Sequence, residues 1–211
     1  MDQEPGDATP FLPEQRTLEA LREAAAGCRG CHLWHPATQT VFGEGLKRSR
    51  VMFVGEQPGD KEDLAGRPFV GPAGKEFDRG LEAAGIPRDE AYLTNVVKHF
   101  SFEERGSRRI HQTPKRFEIE ACKPWLAAEL RVVEPEALVL LGATAAKALL
   151  ASSFRVTRHR GELLDSELAP HVTATIHPSS ILRQRDGETR YAERAAFAED
   201  LRVVARALGP A

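Results

Sequence analysis

The strongest constraint on the fold of this chain is an alternation. Short β-type apolar runs at residues 51–54, 92–97, 137–141 and 172–176 are separated by stretches with helical periodicity at 74–84, 117–132, 143–150 and 190–208. In the last of these, Tyr191, Phe197, Leu201, Val204 and Leu208 fall on or near one face. Strands separated by helices indicate a parallel sheet covered on both sides. The expected fold class is therefore α/β, with three layers (α/β/α) around a central, mainly parallel four-stranded sheet. At 211 residues the chain suffices for one domain with a proper core and is short for two. Residues 16–211 are expected to form that domain. Residues 1–15, with Pro5, Pro10 and Pro13, read as a flexible lead-in, followed by a short helix over 17–26 that Gly27 stops.

The loops at the strand ends carry the functional information. Residues 51–54 lead into Gly55-Glu56-Gln57-Pro58-Gly59. The second run contains Thr94-Asn95 and continues into Lys98-His99. The third is followed by Gly142-Ala143-Thr144, and the fourth by His177-Pro178-Ser179-Ser180. In an open parallel sheet these carboxyl ends share one edge, where ligands bind, so the polar residues converge on one crevice.

Bulk charge gives no sign of a nucleic-acid partner, because the net charge is −2. Contact with DNA then needs a local patch. Arg105, Arg108, Arg109, Lys115 and Arg116, with His111, form such a run with no acid among them. The polar, acidic start of the chain has no signal-peptide pattern. The longest apolar stretch, 137–151, contains Gly142 and Lys147 and is too short for a bilayer. A cytoplasmic monomer with no membrane association is the expectation.

The loop motifs each have a bland reading and a chemical one. Gly55–Gly59 is either an ordinary strand-to-helix turn or a close-approach loop carrying a carboxylate and an amide. Asp60 and Asp63 behind it can be helix-capping or surface acids. Phe69-Val70-Gly71-Pro72-Ala73-Gly74 enters a helix, and Phe69 alone reads more readily as core. His177 at the crevice edge favours chemistry, with Ser179 and Ser180 as phosphate ligands. Cys28 and Cys31 sit two residues apart and Cys122 is remote. Three thiols in one place suit zinc or an iron–sulfur cluster better than disulfides. His32, His35 and His99 are candidates for a fourth ligand.

Taken together, these motifs resemble the uracil-DNA glycosylase superfamily, specifically the iron–sulfur family 4 type and its UdgX branch. The resemblance runs from about Leu18 to Leu208. Gln57 stands where family 4 usually has Ala or Gly, and His99 where it carries a cysteine ligand. The resemblance implies a [4Fe-4S] cluster held by Cys28, Cys31, His99 and Cys122, with zinc the alternative. It also marks the inserted residues 103–112, with Arg108-Arg109-Ile110-His111, as the hallmark of a branch whose histidine joins covalently to DNA. Read without the family, that tetrapeptide is a phosphate-binding patch.

The mechanism implied acts on a uracil that is flipped out or already single-stranded. Phe69 would stack on the base, Asn95 would read its edge, and Gln57, Asp60 and His177 would complete the uracil site. His177 would also meet the negative charge that collects on departing uracil. Glu56 would orient His111 and help take its proton as His111 attacks C1′, with Gln57 in support. Arg108, Arg109, Ser179 and Ser180 would hold phosphates, and Gly106 would let the basic loop move. A multiple-turnover glycosylase and a non-catalytic uracil or abasic-DNA sensor are the alternatives.

Overall fold

Five consecutive buried residues, Val51–Gly55, form β1 at the middle of a parallel sheet. The computed structural model describes residues 6–209. After α1 (Leu18–Ala25), capped by the Thr17 side chain, the chain enters β1 and turns into α2 (Asp60–Ala65) and α3 (Pro72–Ala84). It returns through β2 (Ala91–Asn95), then β3 (Phe102–Arg105) and β4 (Arg108–His111), to α4 (Arg116–Val133). β5 (Ala137–Leu141), α5 (Ala143–Leu149) and the single turn α6 (Val156–His159) come next. β6 (His171–Thr175), α7 (Ser179–Leu182) and α8 (Gly187–Leu208) complete the chain.

The sheet order is β2-β1-β5-β6, and every neighbouring pair is parallel. Alternate residues therefore feed opposite layers. Val51, Phe53, Leu93, Val139 and Leu141 face α3 and α8, where they meet Phe77, Leu81, Phe197 and Leu201. Met52, Val54, Tyr92, Leu138 and Leu140 face α1 and α4, where they meet Leu21, Trp125 and Leu126. These are the three layers expected. Gly80 lets α3 approach α8 closely, since a Cβ there would lie 2.4 Å from the Phe197 ring. From β1 the chain crosses to one side to make β2, and it later places β5 on the other. The switch point thus lies between the carboxyl ends of β1 and β5.

Two expectations are corrected. Residues 8–12 of the supposed flexible lead-in are packed. Ala8 is buried and its N–H donates to Ala121 O at 2.9 Å, while Phe11 and Leu12 rest on the core. Residues 1–5 lie outside the described residues. The inserted segment is not an irregular loop but an antiparallel hairpin, with Phe102 opposite His111 and Arg105 opposite Arg108. Gly106, expected to give mobility, makes its tight turn at φ 61°.

Candidate active site

The loops leaving β1 and β5 meet at the switch point. The Thr144 hydroxyl donates to Glu56 Oε2, and Glu56 Oε1 faces His111 Nε2 at 3.5 Å. One carboxylate is thereby held on one side by a hydroxyl and aimed on the other at an imidazole. All three residues line a cavity of about 800 Å³, together with Thr157, His177 and Arg183. His111 is 49% exposed, so its ring can reach a bound group. A carboxylate aimed at an imidazole from 3.5 Å, and itself oriented by a third group, is an arrangement that can activate a nucleophile or a base once a ligand tightens it.

His177 stands opposite on the loop after β6. Its Nδ1 accepts the Ser179 N–H at 3.2 Å and lies 2.9 Å from Ser179 Oγ. A nitrogen that accepts a backbone N–H carries no proton, so the neutral ring bears its hydrogen on Nε2. Burial pushes the His177 pKa down to about 4, with nearby Arg183 and His111 acting in the same direction. The ring is thus a neutral donor. Ser180 Oγ donates to the His177 carbonyl at 2.8 Å, and Arg183 donates to Ser179 Oγ at 3.0 Å. The two serines, expected on phosphates, hold His177 in this structure.

Asn95 and Phe69 converge over Gly55. A Cβ on Gly55 would lie 2.3 Å from Asn95 Oδ1 and 3.1 Å from Phe69 Cζ, so only glycine leaves that corner open. Phe69 faces His177 with centroids 6.4 Å apart and planes at 26°. It takes a positive φ of 56°, a backbone strain that only tight surroundings sustain. The carbonyl of Asn95 accepts Lys98 Nζ at 2.7 Å, and that ammonium is paired with Glu129 in the interior, both side chains fully buried. Asn95 and Phe69 are buried behind Gly55, while Glu56, His111 and His177 line the open cavity.

Gln57, Asp60 and Arg109 do not take the roles expected from their sequence context. The Gln57 amide donates to Ser101 O at 3.2 Å and to Gln112 O at 2.9 Å, and accepts Ser101 N–H at 2.8 Å. It clamps both ends of the hairpin with both its N–H donors and keeps one acceptor position on Oε1. Arg109 donates to Asp60 Oδ1 at 2.7 Å and Asp63 Oδ2 at 2.6 Å, and its guanidinium lies over Phe100 and Phe102. In this structure Asp60 and Arg109 hold each other, and Arg109 also ties the hairpin to Asp63. Asp63, expected as a surface acid, is wholly buried. Arg108 is exposed, with no ion-pair partner among the described residues. The sequence places Thr144 at the crevice edge without giving it a role, and it gives no sign of Arg183. The strand-end position of Thr144 is the one available signal.

Cys28 and Cys122 are buried and Cys31 is half-buried. Trp125 Nε1 donates to Cys28 Sγ at 3.2 Å, and the Lys98 N–H donates to Cys122 Sγ at 3.3 Å. Burial pushes the Cys31 thiol up to about 11 and Cys122 to about 12, and the neighbouring thiols add to both shifts. Thiols so placed become thiolates only with a cation beside them, and N–H groups already point at two of the sulfurs. The chemistry of the three cysteines is that of metal-ligating thiols, but the geometry does not close a site. Among the described residues no three His, Cys, Asp or Glu side chains close around a single ion. His99 engages Thr40 Oγ1 through Nε2 at 2.9 Å, which leaves Nδ1 for any ligation.

No helix among the described residues is long and apolar enough to cross a membrane. Comparison with known proteins agrees with the geometry. The family model described as the uracil DNA glycosylase superfamily matches residues 42–202. A type-4 uracil-DNA glycosylase of Thermotoga maritima is 37% identical over 177 residues, 83% of this chain and 88% of its own. One of Pyrobaculum aerophilum is 34% identical over 79% of this chain and 85% of its own. One of Sulfurisphaera tokodaii is 40% identical over 60% of this chain and 54% of its own.

Proposed function

The chain belongs to the uracil DNA glycosylase superfamily, and on that premise we propose that it excises uracil from DNA and remains bonded to the sugar through His111, as in the UdgX branch. The observation that carries this reading is His111 Nε2 lying 3.5 Å from Glu56 Oε1 on the cavity that His177 also lines.

The substrate is a uracil in single-stranded DNA or flipped from a duplex. Asn95 reads the base edge over Gly55 and Phe69 supplies the apolar face. As the C1′–N1 bond breaks, its electron pair leaves with uracil. The His177 Nε2–H meets the oxygen where that charge gathers, the logic of an oxyanion site. An imidazole nitrogen of His111 then forms the bond to C1′, and the imidazolium so made gives its proton to Glu56. An N-alkylated imidazole is a poor leaving group, so the adduct persists and each molecule turns over once. Arg108 is the hairpin's phosphate ligand. Cys28, Cys31 and Cys122, with His99 through Nδ1, would hold a [4Fe-4S] cluster. When bound, it would tie α4, the segment after β2 and the start of the chain together.

The test mixes purified protein with a single-stranded uracil oligonucleotide and runs a denaturing gel. A heat-stable protein–DNA band that His111→Ala abolishes is the expected result. Abasic DNA in excess of enzyme, with no such band, would show that water completes the reaction. Intact uracil throughout would remove the enzymatic reading.

A further inference from the structure

We propose that the turn carrying α6 is a second DNA contact, in which Arg155 and Arg158 grip phosphates of the strand on one side of the extruded nucleotide. The inference rests on the proposed action on DNA and concerns a segment outside the motifs that suggested it.

A chain of net charge −2 must attract DNA locally. The hairpin offers less for this than its composition suggests. Arg105 pairs with Glu103 at 3.1 Å, and Arg109 pairs with Asp60 and Asp63. Only Arg108 of its three arginines faces outward without a partner among the described residues. Residues 155–160 divide in the same way. Arg160 turns inward to Glu193 at 3.2 Å and Asp200 at 2.7 Å. His159 Nδ1 lies 2.9 Å from Glu162. Arg155 and Arg158 are exposed, and neither side chain has a hydrogen-bond or ion-pair partner among the described residues. Two neighbouring cations of this kind are available to an external anion.

Their position is the second observation. Val156 and Thr157 line the same cavity as Glu56, His111 and His177. Arg155 and Arg158, one on each side of them in sequence, line an adjoining groove of about 320 Å³ with Phe154. The Arg158 N–H donates to Arg155 O at 3.0 Å, so both arginines stand on one closed turn. A strand whose sugar sits at His111 would occupy the cavity that Val156 and Thr157 line, and Arg155 and Arg158 flank those two residues on the neighbouring groove. Guanidinium groups suit phosphates there because each can bind two oxygens at once.

The experiment measures binding of a fluorescent single-stranded oligonucleotide against salt, for wild type, Arg155→Ala/Arg158→Ala and Arg155→Lys/Arg158→Lys. Two lost phosphate contacts should lower the slope of log affinity against log salt by roughly 1.4 on single strands. Affinity at low salt should fall about tenfold or more, and the lysine pair should retain most of the slope. Uracil release at saturating DNA should be unchanged. A uracil trinucleotide, too short to reach the groove, should bind the wild type and the alanine pair alike. An unchanged slope on the long oligonucleotide overturns the proposal. Equal losses on long and short DNA overturn it too. The slope is measured on uracil-free DNA as well, so a wild type that releases no uracil would defeat the enzymatic reading and leave this test intact.

Discussion

Arg109 of the hairpin and Asp63 of α2 form an ion pair of 2.6 Å in which the carboxylate is wholly buried. The same guanidinium reaches Asp60 at 2.7 Å, so one side chain fixes β4 to the helix that comes after Glu56. His111 is two residues further along β4. The aim of His111 at Glu56 therefore depends on a strut that touches neither. Arg109→Ala leaves Asp63 with only the Thr38 N–H. Breaking a buried pair from one side costs on the order of 3–5 kcal/mol; the lower end applies here because Asp63 keeps that bond. Thermal unfolding checks this. Because Arg109 is committed inward, its loss should leave the salt dependence of DNA binding almost unchanged. A slope reduced by a full phosphate contact would return Arg109 to the phosphate role its sequence context suggests.

Gln57 makes the same hairpin dependent on the first loop. Its three bonds to Ser101 and Gln112 close the base of β3 and β4. Gln57→Ala leaves the Ser101 N–H and the Gln112 carbonyl without this partner, while the Ser101 carbonyl keeps the Gln112 N–H, at about 1 kcal/mol for each bond lost. Adduct formation should fall by about tenfold or more, since roughly 1.4 kcal/mol is one decade. Uracil release, which the proposed mechanism assigns to Asn95 and His177, should fall less. Equal losses in both would mean that the Gln57 amide touches the base after all.

Thr144 holds the oxygen of Glu56 that does not face His111. Thr144→Val keeps the shape and removes the hydroxyl, so Glu56 gains rotational freedom. We expect adduct formation to slow by about tenfold or more, consistent with about 1.5–3 kcal/mol for a lost hydrogen bond to a charged group. Thr144→Ser should restore it. The dependence on DNA concentration should not move, because Thr144 acts through Glu56. An unaltered rate in the valine variant would show that the carboxylate is positioned without it.

The layers of this fold are legible in the sequence because each strand is a short apolar run with helices on either side. The site can be located for the same reason, since parallel strands end on one edge. Partner choice is not legible. Arg109 is far in sequence from Asp60 and Asp63, and only the hairpin brings it to them. The segment 103–112 has no hydrophobic alternation, so its two strands leave no periodic signal. Gln57 reads as a base-binding amide in a loop. It becomes a clamp only because Ser101 and Gln112 lie across from it. A hydroxyl at a strand end suggests a phosphate ligand at Ser179. Its commitment to His177 depends on the tight bend after Pro178.

His177 gives a pH signature whose direction is set by its surroundings. Burial, with Arg183 and His111 nearby, lowers its pKa to about 4 against an ordinary 6.5. The imidazole thus stays a neutral Nε2–H donor well below the pH at which a free histidine protonates. As pH falls through about 4, Nδ1 takes up a proton and can no longer accept the Ser179 N–H, so uracil release should lose the positioning of this donor only there. Stability has a related window. The unfolded chain takes up the proton first, so His177 costs the folded state nothing above about 6.5, and progressively destabilises it as pH falls from there toward 4. Below 4 both states are protonated and the penalty levels off. Melting temperature against pH, compared between wild type and His177→Gln, isolates this contribution from other acid-labile groups. The wild type should lose ground to the variant between pH 6.5 and 4. A constant difference across that range would mean that His177 is not held neutral, and the donor role assigned to its Nε2–H would fail with it.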